Sequence, residues 1–253
     1  MRKQIAAANW KMNLTLSQAQ DLMTALLQKT YHFTEFQEVI IAVPFPYLMM
    51  AVEKVKGYSK FQIAAQDCSN KKSGAFTGDV STEMLVSVGV YHAIVGHSER
   101  REYHHETHGM LAEKVNICLE TGVTPIFCCG EPLQVRDANT QNEYVSKQLS
   151  ESLFHLRPED IQKIVIAYEP VWAIGTGKTA TTEQAQSMHA FIRSVVAEKY
   201  GEDVAGMIPI LYGGSVKANN AKELFAQKDV DGGLVGGASL NAEEFSAIIN
   251  SLK

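Results

Sequence analysis

The sequence is short of the features that mark several protein classes. No apolar run approaches the roughly 20 residues needed to cross a bilayer as a helix, so no membrane partner is expected. The basic start, Met1-Arg2-Lys3-Gln4, leads into an apolar run that ends at Asn9, too short for the core of a secretory leader. Cysteine is scarce: Cys68, Cys118, Cys128 and Cys129 have neither zinc-ribbon spacing nor the pattern of a disulfide framework. Cys128 and Cys129 are adjacent in an apparent strand, so they point to opposite faces and are poorly placed to hold one metal. A reducing, cytoplasmic compartment is expected. Excess positive charge is absent too, since the formal net charge is −5. No global field recruits nucleic acid, and an anionic substrate must be held by local groups. Linkers and low-complexity tracts are missing, and no Gly-x-Gly-x-x-Gly follows the first strand-like run, which counts against a doubly wound dinucleotide-binding sheet.

What is present is a soluble composition, 45% hydrophobic and 20% charged, and a recurring pattern. Short β-branched or small apolar runs fall at residues 5–8, 39–43, 61–65, 93–95, 124–128, 164–168, 208–212 and 234–235. Between them lie helical periodicities with caps: Thr15 and Gln18 before Ala19, Leu22, Met23, Leu26 and Leu27; Pro44-Phe45-Pro46 opening a second helix; Ser81 before Met84, Leu85 and Val88. Later helices carry Leu111, Val115, Cys118 and Leu119, then Val145, Leu149 and Leu153. A further one carries Ala185, Met188, His189, Ile192, Val195 and Val196, and the last, capped by Asn241, carries Phe245, Ile248, Ile249 and Leu252. Eight βα units with buried-type strands predict an α/β fold, one (β/α)8 barrel domain over residues 1–253.

The stretch from Ala167 to Thr181 is the most informative. Glu169 ends a buried strand, and Pro170 stops the ladder and keeps Glu169 out of the helical region. Val171-Trp172-Ala173-Ile174 is too apolar for a solvated loop and Gly175-Thr176-Gly177 too glycine-rich for a rigid one, so a carboxylate base beneath a closing lid is expected. Beyond Lys178, Thr181 or Thr182 caps the next helix, with Glu183 in its first turn. In a barrel all strand C-termini open on one face. Asn9 and Lys11 follow the first strand, His97 the fourth and Glu169 the sixth. Gly213-Gly214-Ser215 follows the seventh and Gly236-Gly237 the eighth, both suited to a phosphate.

These runs give the chain its resemblance. Asn9-Trp10-Lys11, Gly96-His97-Ser98-Glu99-Arg100-Arg101, residues 167–181, Leu211-Tyr212-Gly213-Gly214-Ser215-Val216 and residues 234–240 together resemble the triosephosphate isomerase family over essentially the whole length. The resemblance implies a TIM barrel that interconverts dihydroxyacetone phosphate and D-glyceraldehyde 3-phosphate through an enediolate, with no cofactor and no metal. It implies Glu169 as base, His97 as neutral electrophile, Lys11 and Asn9 as donors at the developing oxygen, and Glu99 as the acid that positions Lys11. Backbone N–H groups of Gly175, Ser215, Gly236 and Gly237 would hold the substrate phosphate.

The loop of residues 67–79, from Asp67 to Asp79, is long on length priors. The resemblance implies that it makes a homodimer, with Thr77 reaching the partner's Asn9-Trp10-Lys11 region. Tyr103-His104-His105-Glu106-Thr107-His108 looks metal-like because His104 and His108 have i, i+4 spacing, but a solvated helix start is expected. Met49, Met50 and Met84 read as core filler. Gly233 stands where the family commonly has a bulky residue, and Cys129 where it has an aliphatic. Two rival readings remain. A Schiff-base aldolase on the same barrel would need a lysine at an inner strand end, where only Lys11 stands. A non-catalytic phosphate-binding or scaffold protein would have no need of Glu169, His97 and Lys11 together.

Overall fold

The eight apolar runs become eight parallel strands: β1 (Gln4–Asn9), β2 (Gln37–Val43), β3 (Phe61–Ala65), β4 (His92–Val95), β5 (Thr124–Cys129), β6 (Val165–Tyr168), β7 (Ile210–Tyr212) and β8 (Gly232–Val235). The structure, a computed structural model, describes residues 2–173 and 179–253. The strands pair in sequence order and close on themselves, β1 meeting β2 at Ala6↔Val39 and β8 at Ile5↔Gly232. Helices cover the outside, which is the (β/α)8 barrel. Among the described residues no helix is long and apolar enough to cross a membrane.

Strand alternation divides the core into two parts. Ile5, Ala7, Ile40, Ala42, Ala64, Ile94, Ile126, Cys128, Val165, Ala167, Leu211 and Leu234 fill the barrel interior. Their neighbours, among them Ala6, Ile41, Ile63, Val95, Cys129 and Tyr168, pack outward against the helices. Cys128 and Cys129 thus face opposite ways, and burial pushes the Cys129 thiol up to about 12, a poor nucleophile.

Helix faces follow the sequence periodicity. Leu16–Leu27 is closed by the Thr15–Gln18 capping box and buries Ala19, Leu22, Met23, Leu26 and Leu27. Thr182–Tyr200 takes Thr181 as its cap, in a second capping box with Gln184. Its inner face also carries Arg193, whose guanidinium bonds Asp229 at 2.8 Å, Asp231 at 2.8 Å and the carbonyls of Ala205 and Ile208. Asp231 in turn accepts from Arg2 at 2.8 Å and from the backbone N–H of Ile210 at 3.0 Å, so one buried cluster ties β1, β7 and β8 together at their N-terminal ends. Breaking such a cluster leaves uncompensated charge in the core.

Three details differ from the sequence expectation. Pro44-Phe45-Pro46 begins a 3-10 turn, Phe45–Tyr47, before the α-helix Leu48–Lys54 starts. Met49 is 70% and Met84 58% exposed rather than core filler, while Met50 packs partly against the core. Leu48–Lys54 and the helix Thr82–Ser87 that carries Met84 are both short, and their inward positions are held by Leu48 and Ala51 in one and Leu85 in the other. Residues one step away point elsewhere. His104 and His108 do not share a helix: Ser98–Tyr103 ends before His104, His105 has φ 54°, and Thr107 caps a new helix, His108–Thr121. The buried group in this segment is Glu106, whose Oε1 accepts from Lys114 Nζ at 2.7 Å and Arg100 Nε at 2.7 Å. Gly233 is explained by packing, since a Cβ there would meet the Phe225 ring at 3.2 Å.

Gly130, just past β5, lies against the backbone of Glu169, whose N–H bonds the Cys129 carbonyl at 2.7 Å. A Cβ on Gly130 would fall 1.7 Å from the Glu169 carbonyl oxygen, so only glycine fits. Gly130→Ala is expected to cost about 3 kcal/mol or more. Gly109→Ala, in a helical first turn where the nearest atom to a Cβ is 3.9 Å away, should be neutral or stabilising by up to about 1 kcal/mol. Urea midpoints of the two variants check this, and equal midpoints would contradict the close approach at Gly130.

Candidate active site

All strand ends that bear chemistry reach one rim. Asn9 is the last residue of β1, His97 stands two beyond β4, Glu169 one beyond β6, Gly213 one beyond β7 and Gly236 one beyond β8. They surround a cleft of about 530 Å³, lined by Asn9, Lys11, His97, Glu99, Ala173, Ser215, Gly236 and Gly237 among others. Each expected site residue within the described chain is therefore at this rim. Gly175, and the rest of the expected lid from Ile174 to Gly177, lie outside the described residues.

Glu169 sits behind the cleft rather than in it, 1% exposed. Its Oε2 accepts from the Ser98 N–H at 3.0 Å and its Oε1 from the Ser98 hydroxyl at 3.1 Å. His97 Nε2 lies 3.0 Å from Oε1. Burial alone would raise the carboxyl pKa, but His97 and the two Ser98 bonds outweigh it and hold the acid below its ordinary range, as a carboxylate.

His97 is the N-cap of the helix Ser98–Tyr103, and its Nδ1 accepts the Glu99 N–H at 3.3 Å. An accepting Nδ1 carries a lone pair, so the neutral ring has its proton on Nε2, pointed at Glu169. Gly96 makes the turn possible: it has φ 75°, and a Cβ there would be 2.9 Å from Leu111. Burial pulls the His97 pKa down, yet the Glu169 carboxylate beside it outweighs burial, and the net shift is upward. The resemblance implies a neutral ring here, and in the free site this carboxylate works the other way. With Glu169 withdrawn to Ser98, the ring gains protons more readily than a free imidazole.

Lys11 enters the site with a strained backbone, φ 53°, in the left-handed region that non-glycine residues rarely take. Its N–H donates to Asn9 Oδ1 at 3.1 Å and its carbonyl accepts from Gln66 Nε2 at 2.9 Å. These bonds hold the turn and send Nζ across the cleft to Glu99 Oε1, 2.5 Å away. Opposite, β8 runs into a short 3-10 turn, Gly237–Leu240, whose N-cap is Gly236. A barrel uses this arrangement after its last two strands to bind phosphate.

Partners across the rim carry part of the design. Nothing in local sequence marks Ser98, which fixes Glu169. Glu131 is fully buried and accepts from Tyr168 Oη at 3.0 Å, Trp172 Nε1 at 2.8 Å and Arg136 Nε at 2.9 Å. Its signal is Glu131-Pro132 after β5, a repeat of Glu169-Pro170 after β6. The glycine of the seventh loop also bears on Glu169, since a Cβ on Gly213 would meet its Cγ at 3.0 Å.

Comparison with known proteins agrees with this geometry. The triosephosphate isomerase family model matches residues 4–252. A protein of Phocaeicola vulgatus named triosephosphate isomerase is 52% identical over 253 residues, all of both chains. One of the same name from Bacteroides fragilis is 53% identical over 99% of each chain, and one from Flavobacterium johnsoniae 47% identical over the whole of both. With the match running from the first strand to the last helix and every strand-end residue in register with the rim, the chain belongs to the triosephosphate isomerase family.

Proposed function

We propose that this chain interconverts dihydroxyacetone phosphate and D-glyceraldehyde 3-phosphate, as a cytoplasmic step of sugar breakdown and synthesis, without a cofactor. The observation that carries the reading is the contact of Glu169 with His97 at 3.0 Å, a base just behind a proton donor that lines a cleft also lined by glycine loops. The substrate phosphate lies at Ser215, Gly236 and Gly237, with Gly175 as a further donor, and the carbonyl carbon faces Asn9, Lys11 and His97.

Glu169 leaves Ser98 and takes the proton from the carbon beside the carbonyl. The electron pair moves onto the carbonyl oxygen, stabilised by the Lys11 ammonium, Asn9 and the Nε2–H of His97. The former carbonyl oxygen gains a proton while the hydroxyl oxygen on the adjacent carbon gives one up, and return of the abstracted proton to the former carbonyl carbon completes the isomerisation with no net gain or loss of atoms. General-base catalysis typically gives ~10²–10⁴-fold. Donors already in place at the developing oxyanion add roughly 3–4 kcal/mol each when strong. The movement of Glu169 has a second effect. Once its carboxylate is gone from Nε2, burial is left to dominate at His97, and the ring becomes the neutral donor that the reaction needs.

Lys11 Nζ is held in an ion pair with Glu99. A Schiff-base amine instead requires a free, neutral nitrogen, so the aldolase reading has no support in the geometry.

The dimer is part of the proposal. Met12 (96% exposed), Phe45, Met49, Phe76 and Met84 follow β1, β2 and β3, which are neighbours in the barrel, so an apolar sector lies on one side of the rim. Such a sector marks an interface. The 67–79 loop is anchored at its base, where Asp67 bonds Lys114 at 2.6 Å and Arg100 at 2.8 Å and Ser69 bonds Asp79 at 2.7 Å. Its Thr77 then reaches the partner's Asn9 to Lys11 turn.

A coupled assay on purified protein without added metal should show turnover, unchanged after chelation. Glu169→Asp should fold normally and lose kcat on the order of 10²-fold, because the shortened arm misplaces the base. Full activity in a folded variant would remove Glu169 from the mechanism. Ring NMR should place the free-protein His97 titration above about 6.5, the ordinary value. In Glu169→Gln the upward influence is gone and burial lowers it, so the curve should move to lower pH, and an unchanged curve would refute the coupling. Deleting Ser73 to Phe76 should give monomers of much reduced activity, and a wild-type active monomer in sedimentation would defeat the dimer.

A further inference from the structure

Among the described residues, the charged side chains lining the cleft are Lys11, Glu99 and Lys217. Lys11 and Glu99 are paired at 2.5 Å and largely offset one another as seen from solvent. Lys217 has no ion pair among the described residues. It is exposed, on the loop after β7, next to Ser215 and Val216 at the phosphate end of the cleft. Its main chain is fixed: its N–H donates to Asn220 Oδ1 at 2.8 Å, while Asn220 Nδ2 donates to the Ser215 carbonyl at 3.0 Å. The adjoining Ala218 N–H donates to Glu244 at 2.8 Å. A hydrogen-bonded turn therefore carries an exposed cation that makes no ion pair among the described residues at the mouth of the site.

The substrate phosphate carries about −1.5 to −2 charges near neutral pH, and the protein as a whole is at −5. The long-range field opposes approach, so a local positive charge at the entrance has a disproportionate effect on encounter. We infer that Lys217 is an electrostatic capture residue, which draws the phosphate group into the Ser215–Gly237 end of the cleft. It acts before the chemical step and touches no reacting atom. This rests on the isomerase reading for its substrate, but the chemistry concerned is that of any phosphate dianion.

The prediction separates capture from structure. At about 10 mM ionic strength Lys217→Gln should lower kcat/KM roughly 3- to 10-fold, with the loss falling on kcat/KM rather than kcat. At about 0.5 M salt the difference from wild type should shrink to under about 1.5-fold, because the Debye length is then only a few ångströms. Lys217→Arg should retain the wild-type salt curve. Lys199→Gln is the control of equal net charge, exposed near the end of the helix Thr182–Tyr200 that leads back to the opposite rim. Titration calorimetry with inorganic phosphate should show weaker binding in Lys217→Gln at low salt, and not in Lys199→Gln. Identical salt curves for the two glutamine variants would overturn the inference. So would a salt-independent fall in kcat, the mark of a structural effect. If wild type shows no turnover, the isomerase reading fails alone, and the phosphate titrations still decide on Lys217.

Discussion

Because all eight strands run the same way and the sheet closes, the chain has two unlike rims. One collects every strand C-terminus and the other every N-terminus. Residues distant in sequence, Asn9, His97, Glu169 and Ser215, become neighbours by that closure alone. The interior between the rims is packed with aliphatic and small side chains, so the rims are held at fixed separation. Polar investment is divided accordingly. Arg193 with Asp229 and Asp231 secures the N-terminal rim, where nothing needs to move. At the C-terminal rim the bonds of Glu169 go to Ser98 and His97, beside the cleft.

The bonds of Glu169 illustrate the difference. Its carboxylate is held against Ser98 and His97, away from the cleft, and the same contact that stabilises its charge makes the ring more basic. The resting arrangement is therefore complementary to itself rather than to substrate. On the proposed mechanism a ligand draws the carboxylate out, which would couple occupancy of the cleft to the protonation of His97. Gly130 and Gly213 belong to this scheme. One allows the backbone of Glu169 to lie tight against β5, and the other leaves room beside its side chain.

Much of this was legible in the sequence where periodicity or chain position carries the information. Strands show as β-branched runs, inner helix faces as 3.6-residue spacings, and caps such as Thr15 and Asn241 by residue type. Strand-end residues follow once the barrel is recognised. Information that depends on pairing across space was not legible. Ser98 is an ordinary helix-start serine until β6 arrives beside it, and Arg193 is an ordinary helical arginine until β7 and β8 surround it. Met49 and Met84 look like core because hydrophobicity does not say which way a six- or seven-residue helix turns. His104 and His108 look like one helical face because the left-handed residue between them has no sequence mark. The upward shift at His97 belongs to the same class, since burial and helix position are local and the opposing carboxylate is not.

The left-handed backbone of Lys11 has a consequence for how such a chain can change. A side chain with a Cβ costs roughly 1–2 kcal/mol in that conformation, which glycine would largely avoid. Yet it is from that turn that the long cationic side chain of Lys11 reaches Glu99 in the cleft. A lineage under pressure for thermal robustness alone would drift toward glycine or asparagine here and lose the charge. Persistence of lysine at so unfavourable a position would then be a signature of selection for turnover, readable in homologues even where no activity has been measured.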